Sequence, residues 1–198
     1  MYKICMKVLL ALSLTFAIVA KSHAVFIGFA PAVQPGATGD FVSMDLIVSG
    51  LGAGAPPSVS TFDVDIGYDM AAVAIDGWTF STELGDIGAG EAIDFSLGDL
   101  GGTLALSVVS FLLPFELDAI QGSTVTLATI TFEVLALGPG EFTDVTLDTI
   151  YALGDGIGDP LDITREGFGR ITNGQIPEPG SVALLLLGLA GLSRLRRS

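Results

Sequence analysis

The sequence predicts an all-β sandwich, and three observations support this fold class. Apolar and polar residues alternate with a period of two along several stretches, which is typical of strands with one buried face. Clusters of glycine, proline and aspartate separate these stretches at the short spacing of an antiparallel sandwich. No amphipathic helical stretch of a dozen residues separates the strands. We therefore expect a single β domain of about 150 residues.

Eight strands are predicted, near residues 25–33, 40–49, 58–68, 71–80, 103–112, 124–137, 142–150 and 167–172. The second is expected to bury Val42, Met44, Leu46 and Val48. The third is expected to bury Phe62, Val64, Ile66 and Tyr68, and the sixth Ala128, Ile130, Phe132, Val134 and Ala136. Leu127 and Leu135 break the alternation, which predicts a bulge or a second buried face there.

The run from Leu104 to Phe115 is more apolar than one buried face requires. Two interpretations stay open: both faces of the run are covered, or part of it is an interaction patch. Of the two, we expect burial.

The N-terminus, Met1–Ala24, has the three parts of a secretory signal peptide. Lys3 and Lys7 precede an apolar run, and Ser22-His23-Ala24 places small residues where a signal peptidase reads them. The only cysteine, Cys5, and the only histidine, His23, lie inside this segment. The exported chain is therefore expected to lack a disulfide, a cysteine nucleophile, a histidine base and a zinc site with such ligands.

The predicted domain, residues 25–175, is strongly acidic. It contains 21 aspartates and glutamates against Arg165 and Arg170, a net charge of −19, and no lysine. Such a surface repels phosphate backbones, so nucleic acid is not expected as a partner. A serine nucleophile would lack its usual bases, and Asp63 and Asp65 lie two apart on one strand face instead of across a cleft. We therefore expect no enzymatic activity.

Two stretches of the domain resemble a known family. The segments Val59–Asp69 (VSTFDVDIGYD) and Leu127–Ala136 (LATITFEVLA) resemble the paired strand signatures of cohesin-like domains. The resemblance covers roughly residues 39–173 and implies a jelly-roll sandwich of about nine strands. It also implies a protein-binding module, and we expect no dockerin module on this chain.

The C-terminal segment, Ile176–Ser198, resembles the PEP-CTERM sorting signal. Its sorting motif is Pro177, Glu178 and Pro179; its apolar anchor includes Val182, Leu184, Leu185, Leu186, Leu187, Leu189 and Leu192; and its basic stop is Arg194, Arg196 and Arg197. The resemblance implies a Gram-negative bacterium, an exosortase-type membrane protease, and a destination at the cell surface or in the exopolysaccharide matrix.

The physical properties of this segment favour the same interpretation. Ser181–Ser193 is free of charge and about 20 Å long as a helix, whereas the hydrocarbon core is about 30 Å thick. A helix of this length spans the membrane only marginally. We therefore expect a short transmembrane helix that anchors the chain in the inner membrane transiently, before processing. The three arginines are expected to stay cytoplasmic, which leaves the domain outside.

Two ligand sites are candidates within the domain. Asp155, Asp159 and Asp162 lie on a glycine-rich loop that suits calcium, and a solvated acidic turn is the alternative we favour. Trp78 and Tyr151 are candidates to stack on a sugar, with burial in the core favoured. The sequence thus predicts an exported, non-enzymatic adhesive or scaffolding protein, with a carbohydrate- or calcium-binding module acting through acidic loops as the alternative.

Overall fold

The computed structural model of the chain describes residues 25–174. The predicted signal helix at Met1–Ala24 and the predicted sorting signal and transmembrane helix at Ile176–Ser198 lie outside the described residues, and the two helices remain predictions. Between residues 25 and 174, no helix has the length and apolar character needed to cross a membrane.

The described residues form twelve strands, one α-helix and one 3-10 turn. In chain order the strands are β1 Val25–Ala30, β2 Val33–Pro35, β3 Phe41–Ser49, β4 Val59–Tyr68, β5 Val73–Phe80, β6 Ala92–Asp94, β7 Gly98–Asp99, β8 Thr103–Ser110, β9 Thr124–Val134, β10 Phe142–Asp155, β11 Ile163–Glu166 and β12 Gly169–Thr172. The helix α1 spans Pro114–Ile120, and the 3-10 turn spans Thr82–Leu84. The predicted β-sandwich is confirmed, and the short strands β6, β7 and β11 lie outside the eight predicted segments.

The strands form two sheets that share one core. The first sheet has the order β11-β1-β3-β9-β5, and the second has the order β2-β12-β10-β4-β8-β6, with β7 also paired to β8. The segment predicted as one strand at 25–33 is divided at Pro31, because β1 belongs to the first sheet and β2 to the second. Proline has no amide proton for the ladder, so it suits the point where the chain crosses between sheets.

The core between the sheets follows the predicted alternation. Phe62 from β4 and Phe132 from β9 are fully buried and come from opposite sheets. Phe80 packs on Phe62 with 6.1 Å between ring centroids, and Tyr68 meets Phe132 edge-on at 6.3 Å. The inward residues predicted for β3 are all buried. Of those predicted for the 124–137 segment, Ala136 is exposed because β9 ends at Val134.

A bulge in β9 explains the break in its apolar pattern. Leu46 pairs with Ala128 while Ile47 pairs with Thr126, so Leu127 is an extra residue in the β9 ladder. Both Leu127 and Ala128 are buried, although they are neighbours in sequence. The bulge predicted at Leu127 is therefore confirmed.

The burial expected along the run from Leu104 to Phe115 is correct for its first half and wrong for its second. Leu104, Leu106 and Val108 on β8 are buried, but Phe111, Leu113 and Phe115 are 58%, 53% and 66% exposed. The chain leaves the sheet after β8 and turns into α1, a seven-residue helix whose one buried residue is Leu117. A helix this short covers one side only, so the neighbouring apolar side chains remain in solvent.

The two ends of the sandwich differ in what they carry. At one end the amide of Gly140 donates to the carbonyl of Asn173 at 2.5 Å, and the described chain ends beside it at Gly174. We call the end beside Gly174 the exit end and the opposite end the distal end. Strand β10 runs for 14 residues, which is roughly 40 Å, from the exit end to Asp155 at the distal end. Asp155 pairs there with Val59 at the start of β4. Residues 25–174 form both sheets and the core between them.

Candidate functional site

The outer face of the second sheet carries two carboxylates at its centre. Because Phe62, Val64 and Ile66 point into the core, Asp63 and Asp65 point outward from β4. Their neighbours on β8 are small, since Asp63 pairs with Ser107 and Asp65 with Ala105. Small neighbours leave the carboxylates at the floor of a depression instead of covering them.

An apolar rim surrounds this depression. The segment from β6 to β8 contributes exposed Phe95, Leu97 and Leu100, of which Leu97 is 76% exposed, and β10 contributes exposed Tyr151 on the other side. Together these groups line a cavity of about 500 Å³ formed by Asp63, Asp65, Phe95, Leu97, Leu100, Ala105, Ser107 and Tyr151. We call this set of residues the outer groove.

Hydrogen bonds fix the rim to the sheet. The amide of Phe95 donates to the carbonyl of Ser107 at 2.8 Å, and the amide of Ser107 donates to Ser96 Oγ at 3.0 Å. Asp99 Oδ1 accepts from the Tyr68 hydroxyl at 2.5 Å, which ties β7 to β4. The exposed apolar side chains therefore stand on a fixed backbone.

The two carboxylates differ in their partners. Tyr151 donates its hydroxyl to Asp65 Oδ2 at 3.0 Å, and this hydrogen bond raises the pKa of Tyr151 above its ordinary value. Among the described residues, Asp63 has no side-chain hydrogen bond, so its oxygens remain available as acceptors. The groove thus offers a negative centre within an apolar rim, a combination suited to binding.

The loop that carries the predicted calcium ligands is organised by its own hydrogen bonds. Asp155 Oδ1 accepts from the amides of Ile157 at 3.0 Å and Asp159 at 2.9 Å. Within residues 25–174, no group of three or more histidine, cysteine, aspartate or glutamate side chains has an arrangement that could hold a metal ion. The geometry gives Asp155 a turn-stabilising role, and calcium binding by Asp155, Asp159 and Asp162 remains a prediction.

Trp78 lies on β5, an edge strand of the first sheet. It is half-buried and packs against the core, and a Cβ added at Gly98 would lie 3.2 Å from its Cη2. Beside it lies a cleft of about 360 Å³ lined by Trp78, Thr79, Phe80, Ser81, Thr82, Gly85, Asp86, Ile87 and Asp94. Burial in the core is therefore confirmed in part for Trp78, and it is wrong for Tyr151, which is 65% exposed.

The rim of the outer groove was not predicted from the sequence. Phe95, Leu97 and Leu100 lie in a segment rich in glycine and aspartate, which favours turns. Three large apolar residues within such a turn segment are the signal that points to exposure. That signal alone does not indicate which face of the sheet they reach.

Comparisons with known proteins divide the chain into two parts. Residues 175–197 match the PEP-CTERM protein-sorting motif. This motif indicates export with membrane-anchored sorting in Gram-negative bacteria and implies processing by an exosortase. No curated protein is significantly similar to the chain in sequence.

The domain is similar in structure to cohesins. CaCohA2 from Clostridium acetobutylicum matches with a TM-score of 0.58 and 19% identity, covering 77% of this chain and 92% of that one. The type I cohesin–dockerin complex of OlpA and Doc918 from Clostridium thermocellum includes a chain that matches with a TM-score of 0.58 and 11% identity, covering 75% and 98%. A type II cohesin domain from the cellulosome of Acetivibrio cellulolyticus matches with a TM-score of 0.56 and 16% identity, covering 76% and 94%. The domain therefore has the cohesin-like fold expected from its two sequence segments.

Proposed function

We propose that the chain is an exported, non-enzymatic interaction protein that binds a protein partner through the outer groove. The observation that carries this proposal is the exposed apolar rim of Phe95, Leu97 and Leu100 around the carboxylates of Asp63 and Asp65. Exposed apolar groups on a fixed backbone lose little entropy when a partner covers them. The cohesin in the OlpA complex is bound to a dockerin, and by analogy a folded protein module is the partner class proposed here.

The sorting motif gives this module its proposed setting. An exosortase would process the chain at the inner membrane, and the acidic domain would then reach the cell surface or the extracellular matrix. There it would act in adhesion or scaffolding, and its net charge of −19 over residues 25–175 would keep it soluble. The intact mass of the protein extracted from the cell surface tests the processing step: a mass that still includes Ser181–Ser198 would contradict it.

The binding role is tested with residues 25–174 immobilised as bait for the extracellular proteins of the organism that makes the chain. Leu97→Ser removes an apolar group from the rim, and Phe41→Ser removes one of similar exposure from β3 of the first sheet. Both substitutions leave the net charge of the domain unchanged. We expect a retained protein whose recovery falls at least about tenfold with Leu97→Ser and is unchanged with Phe41→Ser. Equal recovery by the wild type and both variants would contradict a role for the outer groove.

A carbohydrate is the second candidate ligand, and the cleft beside Trp78 is the observation that favours it. Its half-buried indole ring offers a stacking surface, while the carboxylates of Asp86 and Asp94 are acceptors for sugar hydroxyls. Binding to a glycan array that is lost in Trp78→Leu and kept in Leu97→Ser would favour this function over the first. Calcium is tested separately by titration calorimetry, where no heat and no change in melting temperature at millimolar calcium would exclude the loop of Asp155.

A further inference from the structure

A second apolar surface lies at the distal end of the sandwich. Its exposed members are Phe111, Leu113, Phe115 and Ile157. The first three lie within the five residues that lead from the end of β8 into the first turn of α1. Ile157 joins them because the loop after β10 packs on α1, where a Cβ added at Gly156 would lie 3.3 Å from Pro114 Cα. We call these four residues the distal platform.

The backbone beneath the distal platform is held in place. The amide of Leu113 donates to Glu116 Oε2 at 2.8 Å, which caps the start of α1. At the other end of α1, the buried amide group of Gln121 donates to the carbonyls of Val59 at 2.7 Å and Glu83 at 2.9 Å. Helix α1 is thus anchored to β4 and to the 3-10 turn, so a partner would find the exposed side chains around it already positioned.

The distal platform points away from the sorting motif. The described chain ends at Gly174 on the exit end, and the motif begins at the next residue. The platform lies at the other end of β10, roughly 40 Å away. In a chain held by its sorting motif, this surface is therefore the one turned toward molecules outside the cell.

Charge around the distal platform restricts its partner. The segments 108–121 and 152–162 at this end contain no lysine or arginine, whereas Glu116, Asp118, Asp155 and Asp159 lie within them. Arg165 lies on β11, the edge strand of the first sheet. Arg170 is held at the exit end, where its Nε donates to Asp144 Oδ1 at 2.7 Å. A second copy docked here would place acidic groups against acidic groups, which opposes association.

We propose that the distal platform docks a protein segment that presents apolar side chains together with lysine or arginine. The apolar groups would cover the four platform residues, and the basic groups would pair with the surrounding carboxylates. This site is separate from the outer groove, so it gives the sandwich a second interaction surface that faces outward.

The test uses residues 25–174 and a fluorescent helical peptide of lysine and leucine, with a glutamate and leucine peptide of the same apolar face as its control. In fluorescence anisotropy we expect the lysine peptide to bind and the glutamate peptide not to bind. The double variant Leu113→Ser/Phe115→Ser should weaken binding at least about tenfold, whereas Phe41→Ser, at an exposed position on β3 outside both proposed surfaces, should leave it unchanged. Added salt should weaken the binding that remains.

Two outcomes would overturn the proposal. One is that the lysine peptide does not bind the wild type, or that it binds the wild type and the double variant equally strongly. Equal binding would mean that the attraction comes from net charge alone. The other is self-association in sedimentation velocity that the double variant abolishes, which would make a second copy the occupant. Circular dichroism and melting temperature establish that the variants fold, and a negative result here leaves the separate test of the outer groove unaffected.

Discussion

The outer faces of the two sheets are built from the same alternation and yet differ in how their polar groups are satisfied. On the first sheet, Thr129 donates to Asp45 Oδ1 at 2.6 Å, and Ser43 and Thr131 share a hydrogen bond of 3.0 Å. Each of these pairs joins residues directly opposite on β3 and β9. This face is a polar ladder whose side chains bind one another.

On the second sheet Asp63 and Asp65 lie opposite a serine and an alanine on β8. Within residues 25–174, Tyr151 on β10 gives Asp65 its hydrogen bond and Asp63 accepts none from a side chain. Large apolar side chains then surround these two carboxylates. A face whose polar side chains bond one another is suited to solvent, whereas a face with free acceptors and an apolar rim is suited to a partner.

The largest expected effect is on the free energy of unfolding, which should fall for a substitution in the core and stay nearly unchanged for one in the rim of the outer groove. Phe62 is fully buried, so Phe62→Ala should lower the free energy of unfolding by about 3–5 kcal/mol. Leu97→Ala, at an exposed position, should change it by less than about 0.5 kcal/mol. Urea denaturation of residues 25–174 measures both, with Phe62→Leu as a milder variant. A loss of several kcal/mol in Leu97→Ala would make the rim structural and remove the main support for the outer groove.

The second-largest expected effect is a difference in the free energy of unfolding when a carboxylate is removed from one face or the other. Asp45→Ala removes the hydrogen bond from Thr129 and should cost about 1 kcal/mol of unfolding free energy. Asp63→Ala removes a carboxylate with no side-chain hydrogen bond among the described residues, and it leaves one acidic group fewer on a crowded face. It should therefore be neutral or slightly stabilising.

A double-mutant cycle assigns the cost of the first substitution. Combining Asp45→Ala with Thr129→Val should show a coupling between the two positions in urea denaturation. Equal costs for Asp45→Ala and Asp63→Ala, with no coupling in the cycle, would contradict the difference between the faces.

The parts of this fold that follow from the sequence are those governed by local pattern. The alternation in β4 predicted both its buried residues and the outward direction of Asp63 and Asp65, because a strand repeats every two residues. The helix α1 was missed because seven residues are too few for a periodic signal, although Pro114 at its start and Glu116 in its first turn are typical of a helix N-terminus.

The outer groove depends on topology, which local pattern does not carry. Tyr151 and Asp65 are 86 residues apart, and they meet only because β10 pairs with β4. Leu97 reaches the same groove because β7 folds back on β8. The sequence shows whether each of these side chains is apolar or acidic, but only the order of the strands in the sheet brings them to one place.

The smallest expected effect concerns the two tyrosines that bond carboxylates of the second sheet. Burial of Tyr68, followed by its hydrogen bond to Asp99, raises its pKa above the ordinary value of 10.0. A raised pKa in the folded state means that the stabilisation is complete below pH 10 and is lost as the pH rises through the folded pKa. The stability advantage of the wild type over Tyr68→Phe should therefore stay constant from pH 8 to about pH 10 and narrow as the pH rises further.

Tyr151→Phe is the matched control for this titration. Tyr151 also donates to a carboxylate, but its ring is mostly exposed, so solvent screens the interaction and the change with pH should be smaller. Urea midpoints at several pH values measure both variants. A difference between the wild type and Tyr68→Phe that also stays constant above about pH 10 would show that the bond between β4 and β7 does not depend on the proton of Tyr68, and the rim would then be held by the backbone contacts to β8 alone.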